Sequence, residues 1–282
     1  IRDYFQLANK NKRGEDLANK LETFRARIVL TAHPTQFYTP AVLSIMNRLR
    51  TLIPENEIDD IDLILQQLGL TTLVNRKKPT PLDEAKNIIF TLRHVYYDAV
   101  GEMYAYIKQH VDDRDFYNPD IIKLGFWPGG DRDGNPFVTA DITRDVADEL
   151  RTTLMKCYYN DLKKLRKKLT FKAIQEPLNQ LQEKLYTAMF NADRVLGYGE
   201  IIDSLTGIKE TLDKSYQGLY SQDLEQLMDK VNIFKTHFAT LDIRQDHSKH
   251  VQLIEEILQK NGYIKSLLSE LDEAELTRIL LH

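Results

Sequence analysis

Apolar residues recur every three or four positions along most of the chain. The longest run starts at Ile142 and passes through Val146, Leu150, Leu154, Tyr158, Leu162, Leu165 and Leu169. Lys163, Lys164, Lys167 and Lys168 fall largely elsewhere on the wheel, so the run predicts one long amphipathic helix. Thr39-Pro40 and Thr80-Pro81 each set a hydroxyl cap before a proline at the first helical position, where the missing N–H costs nothing. Asp83, three residues beyond Thr80, fits a capping box. From that second start a stripe of Ile88, Leu92, Val95, Ala99, Met103 and Tyr106 runs toward His110, and a last helix-like stretch covers Asp272 to Leu280.

Three segments break this texture. Arg27-Ile28-Val29-Leu30-Thr31-Ala32 is short, apolar and partly β-branched, and His33-Pro34 stops it, so it reads as a buried strand. Lys123-Leu124-Gly125-Phe126-Trp127 runs into Pro128-Gly129-Gly130, and Ala239-Thr240-Leu241-Asp242-Ile243-Arg244 alternates apolar with polar residues. Each segment is followed by a helix, the order expected of β/α units. Three strands are a small share of the chain. The expected fold class is therefore mainly α with a few parallel β-strands, in a parallel sheet or barrel.

Composition narrows the picture. At 282 residues the chain is about two average domains long, although one α/β barrel can use ~250. With 42% hydrophobic and 28% charged residues it is neither disordered nor fibrous. Its 38 Lys+Arg against 42 Asp+Glu leave −4, so no global field recruits nucleic acid or anionic lipid and any anion site must be local. No apolar run approaches the ~18 residues of a membrane span, and no signal-peptide pattern is seen. The single cysteine, Cys157, excludes an internal disulfide and suits a cytoplasmic setting. The chain opens at Ile1 without an initiator Met, so it is expected to be a piece of something longer.

Chemistry in β/α architectures collects beyond the strands' C-terminal ends. After the first strand, His33 is held by Pro34 and flanked by Thr31 and Thr35. It is either a core or capping histidine, or a general acid/base or anion contact. After the second come Gly129-Gly130-Asp131-Arg132-Asp133-Gly134-Asn135-Pro136. Here glycines let backbone amides approach a ligand, and the Arg132 fork suits carboxylate or phosphate; the alternative is a solvated turn. A calcium loop is excluded, because Pro136 stands where glycine is required and Ile142 where glutamate is required. After the third, alternation puts Thr240, Asp242 and Arg244 on one face, with Leu241 and Ile243 packing on the other. Arg244 beside Asp242 is either a structural ion pair or an anion clamp oriented by it. His247 and His250 have no third ligand nearby and read as a surface pair at a helix start. Gly197-Tyr198-Gly199 has Ile202 where a dinucleotide loop needs its third glycine.

Four strings, in this order, carry a resemblance: Val29-Leu30-Thr31-Ala32-His33-Pro34-Thr35; Lys78-Pro79-Thr80-Pro81-Leu82-Asp83-Glu84-Ala85; Gly129 through Pro136; and Leu241-Asp242-Ile243-Arg244-Gln245. Together they resemble phosphoenolpyruvate carboxylase of the bacterial and plant type. Gln36, Pro128, Asp246 and Lys249 depart from the usual residues, all beside the diagnostic positions.

The resemblance implies a partial (β/α)8 barrel, its first three strands embedded in extra helices. Residues 1–26 would be an N-terminal helical segment and 27–282 the N-terminal part of the barrel. It implies carboxylation of phosphoenolpyruvate by bicarbonate to oxaloacetate and phosphate, through carboxyphosphate and the enolate of pyruvate. His33 would stabilise carboxyphosphate and assist its breakdown, and Arg244 would bind the substrate phosphate, with Gln245 beside it. Arg132, Asp131, Asp133 and Asn135 would belong to the active-site loop. Mg2+ or Mn2+ would be held by ligands outside this chain. The partners would be phosphoenolpyruvate, bicarbonate and the C-terminal half of the same chain, in a cytoplasmic homotetramer with no nucleic acid or membrane. The piece alone would be inactive. A different class stays open: a stand-alone helical module that binds phosphate or a partner without catalysis.

Overall fold

A computed structural model describes residues 2–31, 38–73, 79–111, 116–133, 135–191 and 196–281. Helices α1 (Arg2–Lys10) and α2 (Gly14–Thr23) lead into β1 (Ala26–Leu30), and α3 (Pro40–Glu55) pairs with α4 (Ile58–Leu70). Next come α5 (Pro81–Thr91), a π-helical turn (Leu92–Tyr96), α6 (Tyr97–His110) and β2 (Ile122–Phe126). Four helices follow: α7 (Ala140–Lys168), α8 (Lys172–Phe190), α9 (Tyr198–Tyr216) and α10 (Ser221–Phe234). The two-residue β3 (Thr240–Leu241), α11 (His247–Lys260) and α12 (Glu273–Leu280) end the order.

Local chemistry sets the helix starts. Thr39 Oγ1 accepts from the Val42 N–H at 3.3 Å. At Thr80 both halves of the capping box form, Asp83 N–H to Thr80 Oγ1 at 3.2 Å and Thr80 N–H to Asp83 Oδ2 at 2.9 Å. The Thr80 hydroxyl also donates to Asp83 Oδ2, at 2.7 Å, and this bond, followed by that from the Thr80 N–H, holds the Asp83 carboxyl below its usual pKa.

The long helix α7 organises the core. Val146, Leu150, Leu154, Tyr158, Leu162 and Leu165 are all buried, against Leu178 and Leu181 of α8, Ile201 and Leu205 of α9, Val231 of α10 and Leu124 and Phe126 of β2. A second cluster joins Phe5 and Ala18 to Tyr104, Ile107 and Phe116, which fixes α1 and α2 to α6. No helix among the described residues is long and apolar enough to cross a membrane.

The stripe expected from Ile88 to Tyr106 needs correcting. Leu92 is buried, but Val95 is 38% exposed, and the buried positions beyond it in α6 are Tyr97, Val100, Gly101, Tyr104 and Ile107. The π-helical turn, in which Tyr97 N–H reaches back to Leu92 O, is the cause. It inserts one residue, which rotates the following helix by one position and brings Tyr97 into the core.

The sheet is parallel throughout, in the order β1-β2-β3, with Ile28 opposite Leu124 and Phe126 opposite Leu241. Two expectations change here. β1 is an edge strand, paired on one side only among the described residues, and Ile28 and Val29 are 38% and 37% exposed rather than buried. The third strand is shorter than its alternation predicts, because beyond Asp242, whose N–H still bonds to Phe126 of β2, the chain pairs with a loop.

Candidate functional site

That loop is the glycine-rich one. Asp242 N–H donates to Phe126 O at 2.9 Å, Arg244 N–H to Gly130 O at 3.0 Å, and Arg132 N–H to Arg244 O at 2.9 Å. The residue at 130 must be glycine, since a Cβ there would lie 2.3 Å from the Asp242 carbonyl oxygen. Two motifs far apart in sequence are thus stitched backbone to backbone beyond the strand ends.

Side chains extend the connection. Alternation puts Arg27, Val29, Gly125, Thr240 and Asp242 on the sheet face away from Leu124 and Phe126. A Cβ at Gly125 would lie 3.1 Å from Arg27 Nε, so the glycine leaves room for the arginine to cross β2. Arg27 thereby reaches Asp242 and pairs with its Oδ1. The other oxygen, Oδ2, accepts from Trp127 Nε1–H at 3.2 Å. The Arg244 guanidinium carbon stands 4.5 Å from the Trp127 ring centroid, with Nη1 3.4 Å from Asp131 Oδ2. The sequence pairs Arg244 with Asp242, and the structure corrects this: Asp242 is taken by Arg27 and Trp127. Ile243, expected to pack, is 49% exposed, because strand pairing has lapsed at that position.

Arg132 faces the other way. Its Nη2 donates to Thr143 Oγ1 at 2.9 Å, and Thr143 Oγ1 donates to Gly129 O at 2.7 Å, which ties the loop to the first turn of α7. Arg132 Nε is buried and has no hydrogen-bond partner among the described residues.

The expected site residues therefore separate. Asp131 and Arg244 come together, and Arg132 joins them only through its backbone N–H, its side chain turning toward α7. Asp133 is exposed, and only its N–H reaches Asp131 Oδ1, at 3.4 Å. Asn135 closes its own turn, Oδ1 accepting from Phe137 N–H at 3.1 Å, and Gln245 Oε1 accepts from Asp246 N–H at 3.0 Å. Asp246 caps α11 through Ser248, and those hydrogen bonds lower its pKa. His247 and His250 are exposed at the start of α11. His33 lies outside the described residues. No group of three or more His, Cys, Asp and Glu placed to hold a metal ion occurs among the described residues. Sequence reasoning passed over Arg27 and Trp127. Their only local signal is the alternation that sets Arg27 on the same face as the side-chain-free Gly125.

The molecule is thus a mostly helical protein on a small parallel sheet, with arginines gathered beyond the strand ends. Two overlapping segments, residues 3–196 and 173–282, match the model of the family described as phosphoenolpyruvate carboxylase, and the chain belongs to that family. Relatives named phosphoenolpyruvate carboxylase from Shewanella halifaxensis, Aeromonas salmonicida and Vibrio vulnificus are 28%, 25% and 25% identical to it. The matches cover 86%, 92% and 89% of this chain, but 33%, 34% and 34% of the relatives. The chain spans about a third of the length of the curated relatives it matches.

Proposed function

We propose that this chain carries the phosphate-binding edge of a phosphoenolpyruvate carboxylase active site, which further parts of a longer protein complete. One observation carries the reading: the Arg244 side chain is 44% exposed, its one carboxylate contact is long, and the remaining N–H groups of its guanidinium have no hydrogen-bond partner among the described residues. A guanidinium fixed on one face by an indole and open on the other suits a phosphate dianion. Arg132 Nε also needs an acceptor that the described residues do not supply.

In this reading bicarbonate oxygen attacks phosphorus, giving carboxyphosphate and the enolate of pyruvate. His33 assists the loss of phosphate from carboxyphosphate, and the enolate carbon then takes the carboxyl group to give oxaloacetate. Arg244 holds the phosphoryl oxygens throughout, stabilising charge in a site that must accept two anions. Asp131, Asp133, Asn135 and Gln245 shape the loop around it. No cluster of carboxylates, imidazoles or thiols among the described residues fits a divalent ion, and in this reading the ligands of Mg2+ or Mn2+ come from elsewhere in the longer protein. The three strands are the first of a (β/α)8 barrel begun at residue 27, with residues 1–26 as a helical preface, in a cytoplasmic homotetramer.

A coupled assay for oxaloacetate with Mg2+, phosphoenolpyruvate and bicarbonate tests it. The longer protein is expected to turn over and the 282-residue chain alone to give only the blank rate. A longer protein without activity would sink the reaction, and activity in this chain alone would sink the division of the site.

A further inference from the structure

A cationic concavity, of about 390 Å³, lies between the π-helical turn and the C-terminal half of α7, and none of its lining residues belongs to the strand-end site. Its floor is buried Tyr97 and Cys157. Asp161 stands beside them with its carboxylate fully engaged: it accepts from Tyr97 Oη at 3.0 Å, Lys230 Nζ at 3.0 Å and Lys164 Nζ at 2.9 Å. Asp98 takes the same Lys230 at 2.8 Å. Both carboxylates at the cleft are therefore occupied by Lys230 and Lys164.

The rim holds three more cations. Arg93 comes from the π-helical turn, and Lys163 and Lys167 stand one turn apart on α7, on the face that also carries Asn160 and Lys164. None of the three has an ion-pair partner among the described residues, and like charges at i and i+4 repel. Four cations, Arg93, Lys163, Lys164 and Lys167, line the cleft with two carboxylates, Asp98 and Asp161, which Lys230 already pairs from outside it, so five cations stand against two carboxylates in a chain whose net charge is −4. The imidazole of His94, on the same rim, has its pKa lowered by burial and then by Arg93 and Arg50, and so is a neutral hydrogen-bonding group at pH 7. The π turn itself matters. Such insertions in helices are frequent at functional sites, and this one sends Leu92 and Tyr97 into the core while Arg93 and His94 face the cleft.

We propose that this cleft binds a phosphoryl dianion, free or carried on a small molecule, with Arg93 as the two-pronged contact and Lys163 and Lys167 as flanking point charges. Guanidinium geometry matches two phosphate oxygens, ammonium groups supply undirected charge, and the volume suits a small ligand. The competing explanation is structural: Lys167 lies in the last turn of α7, where cations complement the helix dipole. That account covers Lys167, but neither Lys163, a turn earlier, nor Arg93 on another element.

Calorimetric titration of the chain with inorganic phosphate, pyrophosphate and phenyl phosphate decides it, with Trp127 fluorescence followed in parallel. Trp127 is the sole tryptophan and sits at the strand-end site, so binding in the cleft should give heat without a change in emission. Tighter binding of phenyl phosphate than of inorganic phosphate would identify an esterified ligand, and the reverse a free one. Lys163→Gln/Lys167→Gln should raise the dissociation constant about tenfold or more, and Arg93→Lys severalfold. Lys184→Gln, a change at an exposed ion pair with Glu200, should do nothing. The proposal is overturned if no phosphate species binds the wild-type chain, if binding always perturbs Trp127, or if the double variant binds like wild type. A wild-type affinity combined with a lower melting temperature in the double variant would assign these lysines to the helix end alone.

Discussion

Arg244 lies with its guanidinium carbon 4.5 Å from the Trp127 ring centroid, and the same indole donates its Nε1–H to Asp242 at 3.2 Å. The arginine is thus held through a ring, and the ring through a carboxylate that Arg27 neutralises from across β2. A cation over an indole face gains about 0.5–2 kcal/mol and loses no donor, so Arg244 is oriented while its N–H groups stay available.

Replacing Asp242 separates its two duties. Asp242→Ala removes the indole's acceptor and the partner of Arg27, and the emission of the only tryptophan should move to longer wavelength as water reaches the ring. Asp242→Asn keeps an oxygen for Nε1–H and should leave the spectrum close to wild type while still releasing Arg27. Identical spectra for Ala and wild type would show that the carboxylate does not hold the ring.

Arg244→Lys tests the clamp in the longer protein. A lysine keeps the charge but cannot reproduce a two-pronged contact or lie flat on Trp127. The Michaelis constant for phosphoenolpyruvate should rise, and kcat/KM should fall by roughly one to two orders of magnitude, matching the ~1.5–3 kcal/mol of a charged hydrogen bond. The bicarbonate constant should move much less. If Arg244 serves only its contact with Asp131, the melting temperature falls instead and both constants stay put.

Why these elements were readable, and others not, follows from the range of the forces involved. The α7 stripe and the Thr80–Asp83 box are local, encoded within a few residues, and the sequence shows them directly. The π-helical turn is not local. It puts Leu92 and Tyr97, five apart, both into the core, a spacing that no 3.6-residue wheel shows. The third strand fails for a related reason: alternation through Arg244 is present, but the pairing partner changes from β2 to the Gly129–Arg132 loop. At the site, motif resemblance grouped Arg132 with Arg244. The Arg27–Asp242 pair, 215 residues apart, leaves no sequence signal beyond a glycine on a shared face.

Backbone strain offers a stability test away from the site. Lys235 ends α10 at φ 54° and ψ −110°, a conformation that suits glycine, and its carbonyl accepts from the buried Tyr158 hydroxyl at 3.0 Å. Lys235→Gly should relieve roughly 1 kcal/mol and raise the urea midpoint. Tyr158→Phe should lower it by a similar amount, since it leaves that carbonyl with one bond fewer. A glycine variant no more stable than wild type would show that the conformation carries no strain.

The Asp161 cluster predicts how stability depends on pH. Burial by itself would raise the Asp161 pKa, but Lys230 and Lys164 outweigh it and the carboxyl is held below its ordinary 3.8. A group whose folded pKa is depressed stabilises the fold above its unfolded value, and that stability is lost as pH falls through the folded value. Asp161 should therefore contribute fully at neutral pH and progressively less below about pH 4. Asp161→Asn leaves Lys230, whose side chain is 14% exposed, with Asp98 alone, and it weakens the acceptor of the buried Tyr97 hydroxyl. The expected loss near pH 7 is on the order of 3 kcal/mol, as for breaking a largely buried pair. Urea melts of both proteins should converge as the pH is lowered through the acid range. A gap that stays constant with pH would mean that Asp161 acts through packing and not through its charge.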